Sequence, residues 1–237
     1  AAPISGKLEL VAKVHGKDGL GDTQLPLPDS STIRWENLNY IISTITSNPH
    51  EYTLVSVGPL TNLASLLQNG PKAIVDSVKE VIIMGGAVTV PGNVTPYAEF
   101  NIFCDPHAAK IVFDSELPIT LIGLDVTHKV VMKDAHIKQL EAKNTPLTNF
   151  VAKIAHFYKK FHEKVEGCYL HDPLTAAVAI DPTLISTNKF NLDVITNDFP
   201  EIGQTIPIDS TRNPNISVAL IVNEKKFLDF FLNTLLM

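Results

Sequence analysis

The run from Met84 to Pro106, MGGAVTVPGNVTPYAEFNIFCDP, leaves an apolar segment, turns through glycines and delivers Asn93, Glu99, Asn101 and Asp105 in short order. Carboxylates and carboxamides gathered at one strand end suit a hard divalent cation or a polyhydroxyl ligand such as a sugar. A second acidic loop, His171-Asp172-Pro173-Leu174, and the main-chain carbonyl of Val57 before Gly58-Pro59 supply further oxygens of the same kind. His15 opens a loop, His15 to Asp22, whose glycines at 16, 19 and 21 signal positive φ or close approach to another group. Each residue alone has an ordinary alternative. Asp105 could cap a helix, Asp172 could start one, Asn93 could occupy a turn, and His15 could be a solvated loop side chain.

Other chemistries lack their residue patterns. No Cys pair exists, and His15 and His171 have no ligand partner at helical spacing, which argues against a transition-metal centre. No G-x-S-x-G is present, and Gly16 to Gly21 does not follow the dinucleotide G-x-G-x-x-G spacing. A formal charge of −6 with basic residues no denser than pairs such as Lys159-Lys160 argues against a nucleic-acid partner. No apolar run reaches the roughly 18 residues a bilayer span needs. Cys104 and Cys168 stand far apart and read as buried small hydrophobes, so the expected compartment is the reducing cytoplasm. Asn93-Val94-Thr95 and Asn215-Ile216-Ser217 match the glycosylation pattern, and both read as chance, since a glycan on Asn93 would block the proposed site.

The elements that must position these residues alternate. Leu8 to Val14 reads as a strand approach, and Ser31 to Asn48 carries helical spacing at Ile33, Leu38, Ile41, Ile42 and Ile45. Three β-rich runs follow, Tyr52 to Val57, Lys79 to Met84 and Leu117 to Leu124, each ending at glycine and separated by helical segments. Asp105-Pro106 reads as the cap and first turn of a helix over 107–113. Residues 133–164 are helix-rich, and their aromatic set Phe157, Tyr158 and Phe161 reads as core or as a ring that stacks on a base. An Ala-rich helix over 175–180, strands over 190–195 and 217–222, and a helix over 224–235 complete the chain. The pattern predicts an α/β fold, an open, mostly parallel, Rossmann-like sheet flanked by helices, in one domain spanning 1–237. In such sheets ligands bind beyond the carboxyl ends of the strands.

His15-Gly16-Lys17-Asp18-Gly19-Leu20-Gly21, Gly58-Pro59-Leu60-Thr61-Asn62, Met84-Gly85-Gly86, Ala98-Glu99-Phe100-Asn101, Leu124-Asp125-Val126-Thr127-His128 and His171-Asp172-Pro173-Leu174 resemble, in order and spacing, the nucleoside hydrolases of the inosine-uridine-preferring type. The resemblance runs along nearly the whole chain. It implies hydrolysis of a ribonucleoside to free base and ribose through an oxocarbenium-like transition state, with Ca2+ binding the ribose 2′- and 3′-hydroxyls and the attacking water. By position, the Asp172 side chain and the Val57 carbonyl resemble Ca2+ ligands. Asn93 and Glu99 resemble contacts to the 5′-hydroxyl, and Asn101 to the lower hydroxyls. His171 resembles the group that protonates the departing base, and His15 a residue near the base pocket. A homodimer or homotetramer is the implied assembly.

One family motif is missing. The Asp-rich D-T-D-x-G-x-D-D loop, which in the family supplies further Ca2+ carboxylates and the base that activates water, does not occur, and the chain opens on Ala1-Ala2-Pro3 rather than Met. The resulting expectation is a partial nucleoside hydrolase domain lacking its first βα units, on the order of 60 to 70 residues. Such a fragment alone would turn over little and bind Ca2+ poorly, and its sheet would carry an uncovered strand edge. The alternative is a non-catalytic nucleoside- or ribose-binding protein that keeps Asn93, Glu99 and Asn101 without the chemistry.

Overall fold

The computed structural model describes residues 2–4, 12–26, 28–32, 37–161, 165–197, 199–209 and 215–237. In chain order the first elements are α1 (Ala12–His15), α2 (Leu38–Ser47), β1 (Thr53–Ser56), α3 (Thr61–Asn69), α4 (Pro71–Ser77) and β2 (Glu80–Met84). After the long loop that follows β2 come α5 (Phe100–Cys104), α6 (Pro106–Phe113), β3 (Ile119–Ile122), α7 (Leu124–Thr127) and β4 (Val131–Met132). The remainder comprises α8 (Asp134–Lys143), α9 (Pro146–Phe161), β5 (Cys168–Tyr169), α10 (His171–Ile180), β6 (Ile185–Phe190), β7 (Leu192–Val194), β8 (Thr205–Pro207), β9 (Ile216–Val222) and α11 (Glu224–Leu236).

Contacts divide the chain into two compact units. The first comprises Ala1–Leu8, Glu36–Thr127 and His171–Val222, and the second comprises Glu9–Trp35, His128–Leu170 and Asn223–Met237. In the first unit a five-stranded sheet runs in the order β1-β2-β3-β9-β6. The first four strands are parallel, and β6 pairs antiparallel with β9. The sequence of β2, EVIIM, explains its central place. An unbroken apolar run suits a strand covered on both faces, and Val81, Ile82, Ile83 and Met84 are all buried. Leu63, Ala64 and Leu67 of α3 and Ala108, Ala109 and Val112 of α6 join Ile83 and Leu121 in one core. That core fixes where the strand-end loops emerge. β1 has β2 as its neighbour on one side and no strand on the other among the described residues, and its end is open, with Val55 and Val57 40% and 43% exposed.

The second unit is mainly helical. α9 packs against α8, α1 and β5, and α11 packs against α8 and α9. β4 and β5 form a short antiparallel pair, Val131 opposite Tyr169. Among the described residues no helix is long and apolar enough to cross a membrane.

Several boundaries differ from the sequence reading. The strand approach over Leu8 to Val14 is a helical turn in its described part, because the Gly16 amide closes onto the Ala12 carbonyl at 3.0 Å; residues 8–11 lie outside the described residues. The helix expected from Ser31 begins at Leu38, where the Asn37 side chain accepts from the Tyr40 amide; Ile33 lies outside the described residues. The strand expected over 190–195 is the end of β6 followed by β7, which pairs with β8. The Ala-rich helix starts earlier than Thr175, at His171.

Candidate active site

The loop after β2 is shaped by two buried carboxylates. Glu99, 2% exposed, sits before α5 and accepts from the backbone amides of Asn101 at 2.9 Å and Ile102 at 3.1 Å, the N-cap position a carboxylate favours. The same group reaches back thirteen residues to the amide of Gly86 at 3.0 Å. Gly86 has φ +78°, so the chain turns there in a conformation that costs glycine little. On the other flank Asp125 of α7, 2% exposed, accepts from the amides of Val88 and Thr89 and from the Thr89 hydroxyl at 3.0, 2.7 and 2.6 Å. Burial pushes the Glu99 carboxyl up to about 7, opposed by its three backbone amides and reinforced by the negative charge of Asp172.

Asn101 is buried beside it. Its amide group donates to the Met84 carbonyl and sulfur, both at 3.1 Å, so the end of β2 fixes the carboxamide plane while its oxygen accepts no hydrogen bond among the described residues. Asn93 is exposed on the tight Gly92–Ala98 loop. Its side-chain oxygen accepts from the Phe100 amide at 2.9 Å, and its NH2 has no partner among the described residues. That loop needs glycine at 92 because a Cβ there would lie 2.2 Å from the Ala98 carbonyl oxygen.

His171 and Asp172 occupy the first turn of α10, which packs against β1, β2 and α7. His171 is half-buried, and its Nδ1 lies 2.7 Å from the hydroxyl of the fully buried Thr127. Burial alone pushes the Asp172 carboxyl up to about 6. The residue keeps more than a third of its surface open to solvent, so its outer edge is wet, and the upward direction follows from its having neither an amide nor a cationic side chain against it among the described residues. Glu99, Asn101, Asn93, His171 and Asp172 thus all belong to the first unit, together with Val57 at the end of β1. The Val57 carbonyl accepts no hydrogen bond among the described residues.

Asp105 takes the ordinary role foreseen for it. Fully buried, it caps α6 through the Ala108 amide at 3.2 Å and binds the Thr61 hydroxyl at 2.7 Å and the Ile4 amide at 2.8 Å. His15 belongs to the second unit, where its ring stacks on Tyr158 at 5.8 Å and burial holds its imidazole below the ordinary histidine range. Phe157 and Phe161 lie on the same helix, Phe157 against Gly21 and Phe161 half exposed.

The resemblance to the nucleoside hydrolases implies a bound metal ion. The donors in this chain fit a hard cation in kind, a carboxylate without a counter-charge and an unused carbonyl, but two oxygens are a minority of the six to eight that Ca2+ takes. No group of three His, Cys, Asp or Glu side chains is placed to hold a metal among the described residues. Sequence reasoning gave no role to Asp125 and Thr127, although both lie in the Leu124-Asp125-Val126-Thr127-His128 motif. Polar residues directly after a buried apolar strand were the available signal.

Comparison with known proteins bears on this arrangement. The family described as inosine-uridine preferring nucleoside hydrolase matches residues 1–229. A pyrimidine-specific ribonucleoside hydrolase of Salmonella enteritidis is 34% identical over 235 residues, 96% of this chain and 75% of that protein. The structure of a purine-preferring ribonucleoside hydrolase from Gardnerella vaginalis superposes with a TM-score of 0.90 at 34% identity, covering 99% of this chain and 77% of that one. A plant nucleoside hydrolase superposes equally well, TM-score 0.90 at 31% identity, with 99% and 78% covered. With the sequence match and the fold in agreement over nearly its whole length, the chain belongs to the inosine-uridine preferring nucleoside hydrolases, enzymes that hydrolyse nucleosides to base and ribose.

Proposed function

We propose that the strand-end site of the first unit grips a ribonucleoside by its sugar and that the N-glycosidic bond is cleaved there, water replacing the base at the anomeric carbon. Asn93 and Glu99 hold the 5′-hydroxyl, and Asn101 offers its carboxamide oxygen to a lower hydroxyl. His171 donates a proton to the departing base, which leaves neutral rather than as an anion. Asp172 and the Val57 carbonyl would hold part of the shell of a Ca2+ ion, which when bound would supply positive charge for orienting sugar hydroxyls and activating water. His15 is assigned to the base end by the family resemblance alone. The observation that carries this reading is the pair of carboxyls, Glu99 pushed up to about 7 and Asp172 to about 6, with no lysine or arginine against either among the described residues. Such carboxyls suit a site completed by a cation and hydroxyl groups.

We read residues 1–237 as belonging to a single nucleoside hydrolase domain, of a protein that works in the cytoplasm as a homodimer or homotetramer. Support for the compartment is that neither Cys104 nor Cys168 is in a disulfide, and support for self-association is the exposure of Val55, Ile180 and Ile221. Named relatives include pyrimidine-specific and purine-preferring enzymes, so uridine and inosine are both assay substrates. The test is product analysis with Ca2+ present. Free base with ribose, at a rate lowered by His171→Ala, supports the proposal. Release of ribose 1-phosphate in phosphate buffer would overturn it, and saturable nucleoside binding without base release would favour the ribose-binding alternative.

A further inference from the structure

We propose that Thr127 is a positioning residue for His171, its buried hydroxyl fixing the orientation of the imidazole and keeping the ring hydrogen of the neutral form on Nε2. The inference rests on the reading of His171 as the proton donor to the base. α7 is a single turn, but it is held at every residue. The Leu124 amide donates to the Gly86 carbonyl at 2.9 Å, and the Val126 and Thr127 amides donate to the Gly123 carbonyl, each at 3.1 Å. Asp125 is tied to Val88 and Thr89 by three hydrogen bonds. All four residues are buried, Thr127 completely. A β-branched side chain on so fixed a backbone has little freedom about χ1, so its oxygen is a fixed point.

His171 meets that point at 2.7 Å through Nδ1, and the hydroxyl of Thr175 anchors its carbonyl at 3.0 Å. The backbone and the Nδ1 edge of the ring are therefore both anchored. The hydrogen count chooses the tautomer. Thr127 Oγ1 has no other hydrogen-bond partner among the described residues. Were Nδ1 the protonated nitrogen of the neutral ring, it would donate to Oγ1 and strand the hydroxyl hydrogen in the interior, and a buried donor without an acceptor is costly. With the hydroxyl donating to Nδ1 every hydrogen on this side is used, and the ring carries its own on Nε2. The neutral imidazole is thereby presented with its N–H directed away from α7; a second proton taken up from solvent at Nδ1, with the Thr127 hydroxyl turned to accept it, gives the imidazolium, whose Nε2 proton passes to the leaving base and leaves a neutral ring.

The test is 15N NMR of the histidine-labelled protein at about pH 8.5, where an ordinary imidazole is neutral. It compares wild type with Thr127→Val, which keeps the shape and removes the hydroxyl, and with Thr127→Ser, which restores it; far-UV circular dichroism monitors folding. Wild type and Thr127→Ser are expected to show His171 as the Nε2–H tautomer, and Thr127→Val a mixture. For base release, Thr127→Val is expected to lower kcat roughly tenfold to a hundredfold with KM little changed. Thr127→Ser should recover most of the loss. A wild-type ring in the Nδ1–H form overturns the proposal even if Thr127→Val does not fold, and so do identical His171 shifts in wild type and Thr127→Val. If His171→Ala left turnover unchanged while the wild-type tautomer was as expected, the reading of His171 as donor would fail and the positioning contact would stand.

Discussion

Replacing Glu99 with glutamine should change how stability depends on pH more than it changes stability itself. The carboxyl is 2% exposed and accepts three backbone amides, so two forces oppose each other: burial disfavours its charge and the amides favour it. Burial wins, and the folded-state value stands at about 7 against an ordinary 4.5. A group raised on folding binds its proton more tightly in the native state. The stability so gained is fully present below pH 4.5 and is lost as pH rises through about 7. A gap of that size corresponds to about 3 kcal/mol. Glutamine cannot titrate, and with its NH2 in the Oε1 position it keeps both amides that Oε2 accepts and loses only that of Asn101. Near pH 4.5 the two proteins should therefore lie within about 1–2 kcal/mol of each other. By pH 8.5 the difference should have moved by about 3 kcal/mol in favour of Glu99→Gln. Urea denaturation across this range, with a chelator present to exclude divalent cations, measures it. A difference constant with pH would refute the upward shift. A difference moving the other way would mean that the three amides outweigh burial and that Glu99 is a charged cap at all working pH values.

Other outcomes follow from the same contacts. Gly92→Ala places a Cβ 2.2 Å from the Ala98 carbonyl and should cost about 2–4 kcal/mol while raising KM for nucleosides through displacement of Asn93; an unchanged Tm would remove the close contact from the account. Asp105→Ala strips partners from the Thr61 hydroxyl and the Ala108 and Ile4 amides and should cost about 3 kcal/mol by urea denaturation, whereas a loss below about 0.5 kcal/mol would deny its role as cap and brace. Asp172→Asn removes the carboxylate offered to the cation, and Ca2+ affinity by calorimetry should fall more than about tenfold; equal affinity would take Asp172 out of the shell.

What was legible in the sequence was whatever a short window encodes. β2 and β3 are largely apolar runs stopped by glycine, β1 is a β-rich run one residue short of Gly58, and Asp105-Pro106 carries the cap and first turn of α6 side by side. The polar cluster after β2 could be found because oxygen-bearing side chains are concentrated there without helical or strand period. β6 escaped the reading because Ser186, Thr187, Asn188 and Lys189 give an exposed edge strand no apolar alternation, and only its pairing with β9 makes it a strand. The start of α10 was placed too late because His171-Asp172-Pro173 reads as a loop, although proline is tolerated within a first helical turn. Long-range bonds were out of reach altogether. Nothing near Glu99 announces the Gly86 amide, and nothing near Thr127 announces an imidazole 44 residues onward.

The central claim is that the sheet edge bearing Glu99 and Asn101 holds a nucleoside by its ribose. Calorimetric titration of the chain with uridine or inosine, repeated in the presence of free ribose and with Asn101→Ala, tests it most directly. The account requires saturable binding that ribose displaces and that Asn101→Ala weakens more than about tenfold, a loss of roughly 1.4 kcal/mol or more. Binding that ignores both ribose and the substitution would contradict it.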